Sequence, residues 1–365
     1  MRKSTETKIT AIRSWLDQTL EGATPGDRLP NVKAIMRQFA TAQRTVQQAL
    51  KPAIDGGRLR AQPGSGLIIC DPDREAPAAA WEGDLLVLYR ISESRLARSV
   101  LQEMEARLKS RGSKILQIGY SSEAQALDVL RRMGRFKACL IQIHFEVISI
   151  DFLAALRQCA RHIIVDGVSA VGIDADAIGT NWREALSVAF RTLQEQGHQR
   201  IGFLTSAHQA RQISMARREF RLLCRWLPDP AEGYLIEIDK LPGAMHIDDV
   251  KGALAPLRRA DGRLPFTALI AWGIVEDFVL ERALTDLDAD VGNTLSVMLL
   301  GSTDFPSEHI NRFDVIGNSH AQKLDVFEQV ISRRIALDRT SPQVHYLEID
   351  HIRHGSVIPI GDDWV

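Results

Sequence analysis

The chain has 365 residues, 45% apolar and 25% charged, with a formal net charge of -1 at pH 7, which suits two or three packed units and excludes a disordered chain. No run of about 18 apolar residues offers a membrane span, and the opening MRKSTETKITAIRSWLDQ mixes charge with helical periodicity, so a cytoplasmic protein without membrane contact is expected. The charge is uneven: residues 1–70 carry 11 Lys/Arg against 5 Asp/Glu and the remainder 34 against 41, which predicts a polyanionic partner for the first segment alone.

In chain order, Ile9, Ile12, Trp15, Leu16 and Leu20 recur at three- and four-residue steps and predict a first amphipathic helix, broken by Pro25-Gly26-Asp27. Val32, Ile35, Met36 and Phe39 predict a second short helix, and Val46, Ala49 and Leu50 a third. Only the corner Ala40 to Ala42 separates them, the spacing of a helix-turn-helix. After Gly56-Gly57, Leu59-Arg60-Ala61 and Leu67-Ile68-Ile69 flank Gln62-Pro63-Gly64-Ser65-Gly66, the pattern of a hairpin that projects as a wing.

Three pieces in order, Pro25-Gly26-Asp27-Arg28-Leu29-Pro30, Thr45-Val46-Gln47-Gln48-Ala49-Leu50 and Pro63-Gly64-Ser65-Gly66, resemble the GntR family of winged-helix regulators. The chain departs from that family at Ala42-Gln43, where Ser-Arg is usual, and at Pro52, where the helix ordinarily continues. The resemblance implies a DNA-binding domain over residues 1–70 whose third helix enters the major groove. Gln43, Arg44, Thr45, Gln47 and Gln48 are its candidate readers of base edges, because Gln pairs bidentately with adenine and Arg with guanine. Arg28, Lys33 and the wing residues Gly64 and Ser65 are candidate phosphate contacts, which position without specifying. A merely solvated helix face is the bland alternative.

Residues 71–83 lack periodicity, contain two prolines and read as a linker. From Asp84 the pattern changes to short apolar strands alternating with amphipathic helices. Leu85 to Tyr89, Ile115 to Ile118, Ala138 to Ile143, His162 to Val165 and Ile201 to Leu204 are the strands, with helices over 96–108, 124–133, 152–159 and 181–196 between them. Strict alternation predicts an α/β body with parallel sheets covered on both faces, and about 280 residues suit two lobes.

Gly179-Thr180-Asn181, the helix after it, and Gln196-Gly197-His198-Gln199-Arg200-Ile201-Gly202-Phe203-Leu204 resemble the effector domain of LacI-type repressors, itself similar to periplasmic binding proteins of type I. Ile270-Ala271-Trp272-Gly273, Met298 to Asp304 and His354-Gly355-Ser356 support the likeness. The resemblance implies a ligand-binding and dimerisation domain over residues 84–365. Lobe one would hold 84–180 plus about 304–318, and lobe two the remainder. A GntR-type head on a LacI-type body is the arrangement of arabinose repressors. It implies a homodimer on a palindromic operator, with a small-molecule effector, a sugar or related metabolite, between the lobes and repression as the outcome.

By position at strand ends, Ser92, Glu93, Ser94, Tyr120, Ser214, Arg217 and Trp272 are the candidate effector contacts. Two departures speak against a sugar held in the family's usual way: Gly273 stands where an Asp is common, and Ala216 where an Arg is, one place before Arg217. A cleft that has lost effector sensing is therefore the alternative. His198 follows a glycine after a helix and is expected to be structural, as are His144, His162 and His208, which have no partner at metal spacing. Cys70, Cys139, Cys159 and Cys224 are far apart and read as free thiols in a reducing compartment. An α/β enzyme with a DNA-binding head is disfavoured, since neither a Gly-x-Gly-x-x-Gly turn, a Gly-x-Ser-x-Gly elbow nor His-Glu-x-x-His is present; no cofactor or metal is expected.

Overall fold

The computed structural model describes residues 2–21, 23, 27–55, 58–62, 66–69, 81–143, 148–168, 174–305 and 311–360. They fall into two compact units, Met1–Ala80 and Trp81–Val365. Of the sequence expectations, Gly64, Ser65, Cys70, His144 and residues 71–80 lie outside the described residues.

The first unit contains α1 (Arg2–Glu21), β1 (Arg28–Leu29), α2 (Val32–Gln38), α3 (Gln43–Asp55), β2 (Leu59–Gln62) and β3 (Gly66–Ile69). Its apolar periodicity becomes one small core of Ile12, Leu16, Leu29, Ile35, Val46, Ala49, Leu50, Leu59, Leu67 and Ile69, with Trp15 and Phe39 meeting edge to face at 5.6 Å. The strands form an antiparallel sheet in the order β1-β3-β2. Asn31 caps α2 by accepting from the Ala34 N–H at 2.9 Å, and Ala40 turns the corner to α3 at a φ of 44°. The helix α3 runs through Pro52 without ending there.

The second unit begins at Trp81, whose ring lies 5.5 Å from the Arg135 guanidinium, so residues 81–83 belong to this body and not to a linker. Lobe one opens with β4 (Gly83–Arg90), α4 (Arg95–Ser110), β5 (Ile115–Tyr120), α5 (Glu123–Leu130), β6 (Phe136–Gln142), α6 (Ile150–Cys159), β7 (Ala160–Asp166) and β8 (Asp176–Gly179). Lobe two follows with α7 (Trp182–Glu195), β9 (Ile201–Ser206), α8 (Arg211–Leu223), β10 (Gly233–Ile238), α9 (Ile247–Leu254), β11 (Ala268–Trp272), α10 (Asp277–Thr285), β12 (Ser296–Ser302) and β13 (Asp314–Asn318). The chain then returns to lobe one for α11 (His320–Ile335) and β14 (Val344–Tyr346), and ends in lobe two with β15 (Asp350–Ile352).

Among the described residues, the sheet orders are β14-β8-β7-β6-β4-β5 and β10-β9-β11-β12-β13-β15, all pairs parallel except β13 with β15. The continuous apolar strands are explained by two-sided burial. In β4, Leu85 and Val87 enter the core under α4 and α11, while Leu86 and Leu88 enter the one under α5 and α6. In β11, Ala268, Ile270 and Trp272 face α7 and α8, and Leu269 and Ala271 face α9 and α10.

The expected lobe division needs a correction. The strand Asp314–Asn318, assigned from sequence to lobe one, pairs with β12 in lobe two, from Met298 opposite Asp314 to Ser302 opposite Asn318. The chain crosses just after it, and the segment that completes lobe one is α11 and β14. At this crossing the Thr180 hydroxyl donates to Asn318 Oδ1 at 2.7 Å, a buried link between two of the connecting segments. The His354-Gly355-Ser356 run is held in lobe two by the Asp314 carboxylate, which accepts from all three backbone N–H groups at 2.8–3.1 Å.

Candidate functional site

Each sheet has a point where the strand order reverses, with β4 between β5 and β6 in one and β9 between β10 and β11 in the other. Side chains at the carboxyl ends of strands meet in a crevice at such points. Here the crevice lies between the lobes and holds two adjoining cavities that share Ser94, Leu96, Val100, Pro242 and Lys323. The first, of about 170 Å³, is lined by Trp182, Trp272 and Phe305 and reaches Asn318 and His320. The second, of about 180 Å³, has Arg90, Ser92, Gln142 and Asp166 among its lining residues.

The aromatic wall is built by packing. Trp272 closes β11 and its ring lies 5.3 Å from that of Trp182, which opens α7. The polar rim is a chain of contacts: Lys323 Nζ stands 2.9 Å from Asp166 Oδ1, and Gln142 Nε2 donates to Asp166 Oδ2 at 3.2 Å. Asp277 sits at the start of α10, where its carboxylate accepts from the Arg312 and Phe313 N–H groups. Burial pushes its carboxyl above the usual range, with those hydrogen bonds opposing the shift.

At the mouth the lobes touch. Arg95, on lobe one, pairs with Glu276 of lobe two at 2.8 Å, and Glu93 approaches His246 at 3.7 Å. Gly243, with a φ of +78°, lies so close to Ser94 that an added Cβ would fall 3.1 Å from the Ser94 Cα and inside its hydroxyl. Gly273, where an Asp was expected, has a φ of +103° and accepts from the Gly243 N–H through its carbonyl at 2.6 Å. Its lack of a side chain thus answers a backbone requirement.

The candidate effector residues separate into two groups. Ser92, Ser94 and Trp272 line the cavities; Ser94 also caps α4 by accepting from the Ala97 N–H, and Glu93 stands at the mouth. Tyr120, Ser214 and Arg217 line neither cavity. Tyr120 is 1% exposed in the lobe-one core and its hydroxyl donates to the Gln142 carbonyl. Arg217 is buried, pairs with Glu237 at 2.6 Å and donates to the Ser206 carbonyl and to Ser214 Oγ, so it acts within lobe two. The cleft residues that sequence reasoning missed are Gln142, Asp166, Trp182, Phe305, Asn318, His320 and Lys323.

In the first unit, Arg28, Lys33, Gln43, Arg44, Gln47 and Gln48 are exposed. Thr45 is not: at 8% exposure it joins Val46, Ala49 and Leu50 on the inward stripe of α3, and so it leaves the set of outward residues. The four remaining candidates on α3, Gln43, Arg44, Gln47 and Gln48, share its solvent side.

His198 sits at 1% exposure beyond the end of α7, between the Thr267 hydroxyl at 2.9 Å and the Ile358 carbonyl at 3.1 Å. The carbonyl accepts, so Nε2 carries the proton. Burial drives the imidazole down to about 4, although the bond to Ile358 opposes this, and burial drives His162 to a similar value. An unfolded histidine titrates near 6.5, so the stability held by the neutral rings is complete above that pH and is lost as pH falls toward 4. The second unit is expected to lose on the order of 1 kcal/mol or more over that window. Urea unfolding at successive pH values checks this, with His198→Asn expected to flatten the dependence. Cys139, Cys159 and Cys224 are free and buried. Among the described residues no helix is long and apolar enough to cross a membrane, and no group of His, Cys, Asp and Glu side chains is gathered as for a metal.

No protein-family model matches the sequence, and no curated protein matches it. Solved structures do. A LacI family transcriptional regulator from Enterococcus faecium with bound ribose is similar at a TM-score of 0.59 and 18% identity, covering 76% of this chain and 100% of that one. A LacI family regulator from Weissella paramesenteroides with bound glucose gives 0.58 and 16%, covering 76% and 98%. A periplasmic binding protein/LacI regulator from Alkaliphilus metalliredigens, complexed with D-xylulofuranose, gives 0.58 and 12%, covering 75% and 99%. At these identities the likeness shows the fold alone: the second unit has the two-lobed α/β fold of those structures.

Proposed function

We propose that the chain is a sequence-specific DNA-binding transcription regulator, a GntR-type winged-helix head on a LacI-type body, and not an enzyme. The observation that carries this reading is the joining, in one chain, of two different units. One is a two-lobed fold whose structural neighbours hold ribose and glucose; the other is a small three-helix unit with Gln43, Arg44, Gln47 and Gln48 on the solvent side of α3. The excess of Lys/Arg before residue 71 supplies attraction to phosphates, and α3 supplies side chains able to read base edges.

In this reading a sugar or related metabolite binds between the lobes. Two copies pair through their receptor lobes, so that two heads meet a palindromic operator in the cytoplasm. The effector acts by its differential affinity for closed and open arrangements of the lobes, which changes the operator affinity of the heads, with repression as the basal state.

Two variants test the head. Arg44→Ala is expected to weaken operator binding by about 1–3 kcal/mol for each head and to relax preference at one base pair. Lys33→Ala is expected to weaken binding evenly across sequences and to lower the salt slope by about one. Fluorescence anisotropy on the operator and on a scrambled duplex measures both. An Arg44→Ala protein with unchanged affinity and unchanged preference would remove α3 from the role of recognition helix.

A further inference from the structure

We infer that His320 is a specificity-determining residue of the cleft, whose Nδ1 accepts a hydrogen bond from a hydroxyl of a neutral, ring-shaped ligand in the cavity lined by Trp182 and Trp272. The inference rests on the reading of that cleft as a sugar site and adds to it a named contact.

His320 is the first residue of α11, where the chain has just returned from lobe two to lobe one. It is 6% exposed and lines that cavity. Its Nε2 lies 3.1 Å from Glu103 Oε1. Glu103 also accepts from the Ser99 hydroxyl, and that bond, with His320 and Arg107, holds its carboxyl below the ordinary range against the opposing effect of burial. An ionised carboxylate only accepts, so Nε2 must be the nitrogen that carries a proton. In the neutral ring the lone pair is then on Nδ1.

That lone pair has no partner. Among the described residues lining this cavity, His320 Nδ1 is the one buried side-chain nitrogen or oxygen without a hydrogen bond. The donors closest along the chain are already used. Asp304 accepts from the Ser319 hydroxyl and from the His320 and Ala321 N–H groups, and Ser319 Oγ accepts from the Gln322 N–H. The Phe305 ring packs edge-on against the imidazole at 5.5 Å and offers no donor. A buried acceptor left unmet is costly, and in a native protein it marks a place for a missing donor.

The rest of the lining says what brings the donor. Lys323 is matched by Asp166, and Asn318 is engaged on both sides, accepting from Thr180 and donating to the Ser319 carbonyl. The Asp277 carboxylate is occupied by two backbone N–H groups. No unmatched cation therefore awaits an anion in this cavity among its described lining residues, whereas Trp272 and Trp182 offer an apolar wall to a ring. A neutral ring bearing hydroxyls meets both requirements.

The test measures dissociation constants of D-ribose, D-glucose and sucrose by calorimetry on the full chain, then of deoxy derivatives of the tightest binder. His320→Phe keeps a flat ring and removes both nitrogens. It is expected to bind the parent sugar about tenfold more weakly. One deoxy derivative should be about tenfold weaker on the natural chain and show no such loss on His320→Phe, a pattern that a merely structural role does not produce. His320→Gln offers an acceptor at a different reach and is expected to change the size of that single penalty. It also serves if the Phe variant does not fold. Sugar binding with the same deoxy pattern in the natural chain and in either folded variant overturns the proposal alone. Failure of the natural chain to bind any of the three sugars overturns the sugar-site reading and the proposal together.

Discussion

Replacing Asp176 with alanine is expected to destabilise the second unit by about 3–5 kcal/mol, the range for breaking a buried ion pair from one side. Arg334 and Asp176 are 0% and 1% exposed and form a two-pronged pair, Nε to Oδ2 at 2.6 Å and Nη2 to Oδ1 at 2.9 Å. Asp176 also accepts from the Gln343 N–H at 3.0 Å, and Arg334 Nη1 donates to the carbonyls of Asp338 and Thr340. The pair therefore fastens α11 and the segment after it to β8, holding the returning chain in lobe one. Without the carboxylate a guanidinium stays buried with its charge unmatched. Urea unfolding followed on the second unit measures the loss, and the double variant Asp176→Leu with Arg334→Met should recover most of it. A loss below about 1 kcal/mol for Asp176→Ala would mean that the pair does not anchor the lobe. Burial raises the Asp176 carboxyl, but Arg334 and the Gln343 N–H outweigh it and hold it below the ordinary carboxylate range. This contribution is thus present above about pH 4 and lost as acid protonates the folded carboxylate.

Gly243→Val is expected to leave each lobe folded while lowering affinity for any cleft ligand by about a hundredfold. The residue has a positive φ that β-branched side chains do not adopt readily, and any Cβ there enters the space of Ser94 on the opposite lobe. The lobes must then stand further apart. The contacts of Arg95 with Glu276 would lengthen with them. A ligand that needs both walls meets a closed form populated at about 1% of its former level, and its apparent affinity falls by that fraction. Small-angle scattering should show an expanded second unit and calorimetry with sugars the weaker binding. Unchanged sugar affinity in a folded Gly243→Val protein would show that closure at this contact is not needed for binding.

The strands and helices of the body were legible because burial on both faces writes an unbroken apolar run, as in Leu85 to Leu88, and because helices such as α7 carry one apolar stripe. What the sequence could not convey is which sheet a strand joins. Asp314–Asn318 reads as a buried strand in either lobe, and its place beside β12 is a long-range pairing with no local signal. The cleft suffered from this directly, since Asn318 ends that strand and His320 and Lys323 come from the returning segment just after it. Two errors had a readable signal. Arg217 lies four residues after Ile213 and three before Phe220, on the apolar stripe of α8, so an inward ion pair was implied. Thr45 likewise lies four residues before Ala49 on the buried stripe of α3. Tyr120 was misplaced because a position at a strand end does not say whether a side chain turns to the crevice or back into the core.

The central claim is that the basic first unit binds duplex DNA under the control of the two-lobed body. Titrating the full chain against labelled duplexes from the region upstream of its own gene, between about 50 and 200 mM salt, tests it most directly. Affinity is expected to fall steeply as salt rises, with one duplex bound about a thousandfold more tightly than a scrambled one and that affinity changed when a cleft ligand is added. The absence of salt-sensitive binding to every duplex, including that upstream region, would contradict it.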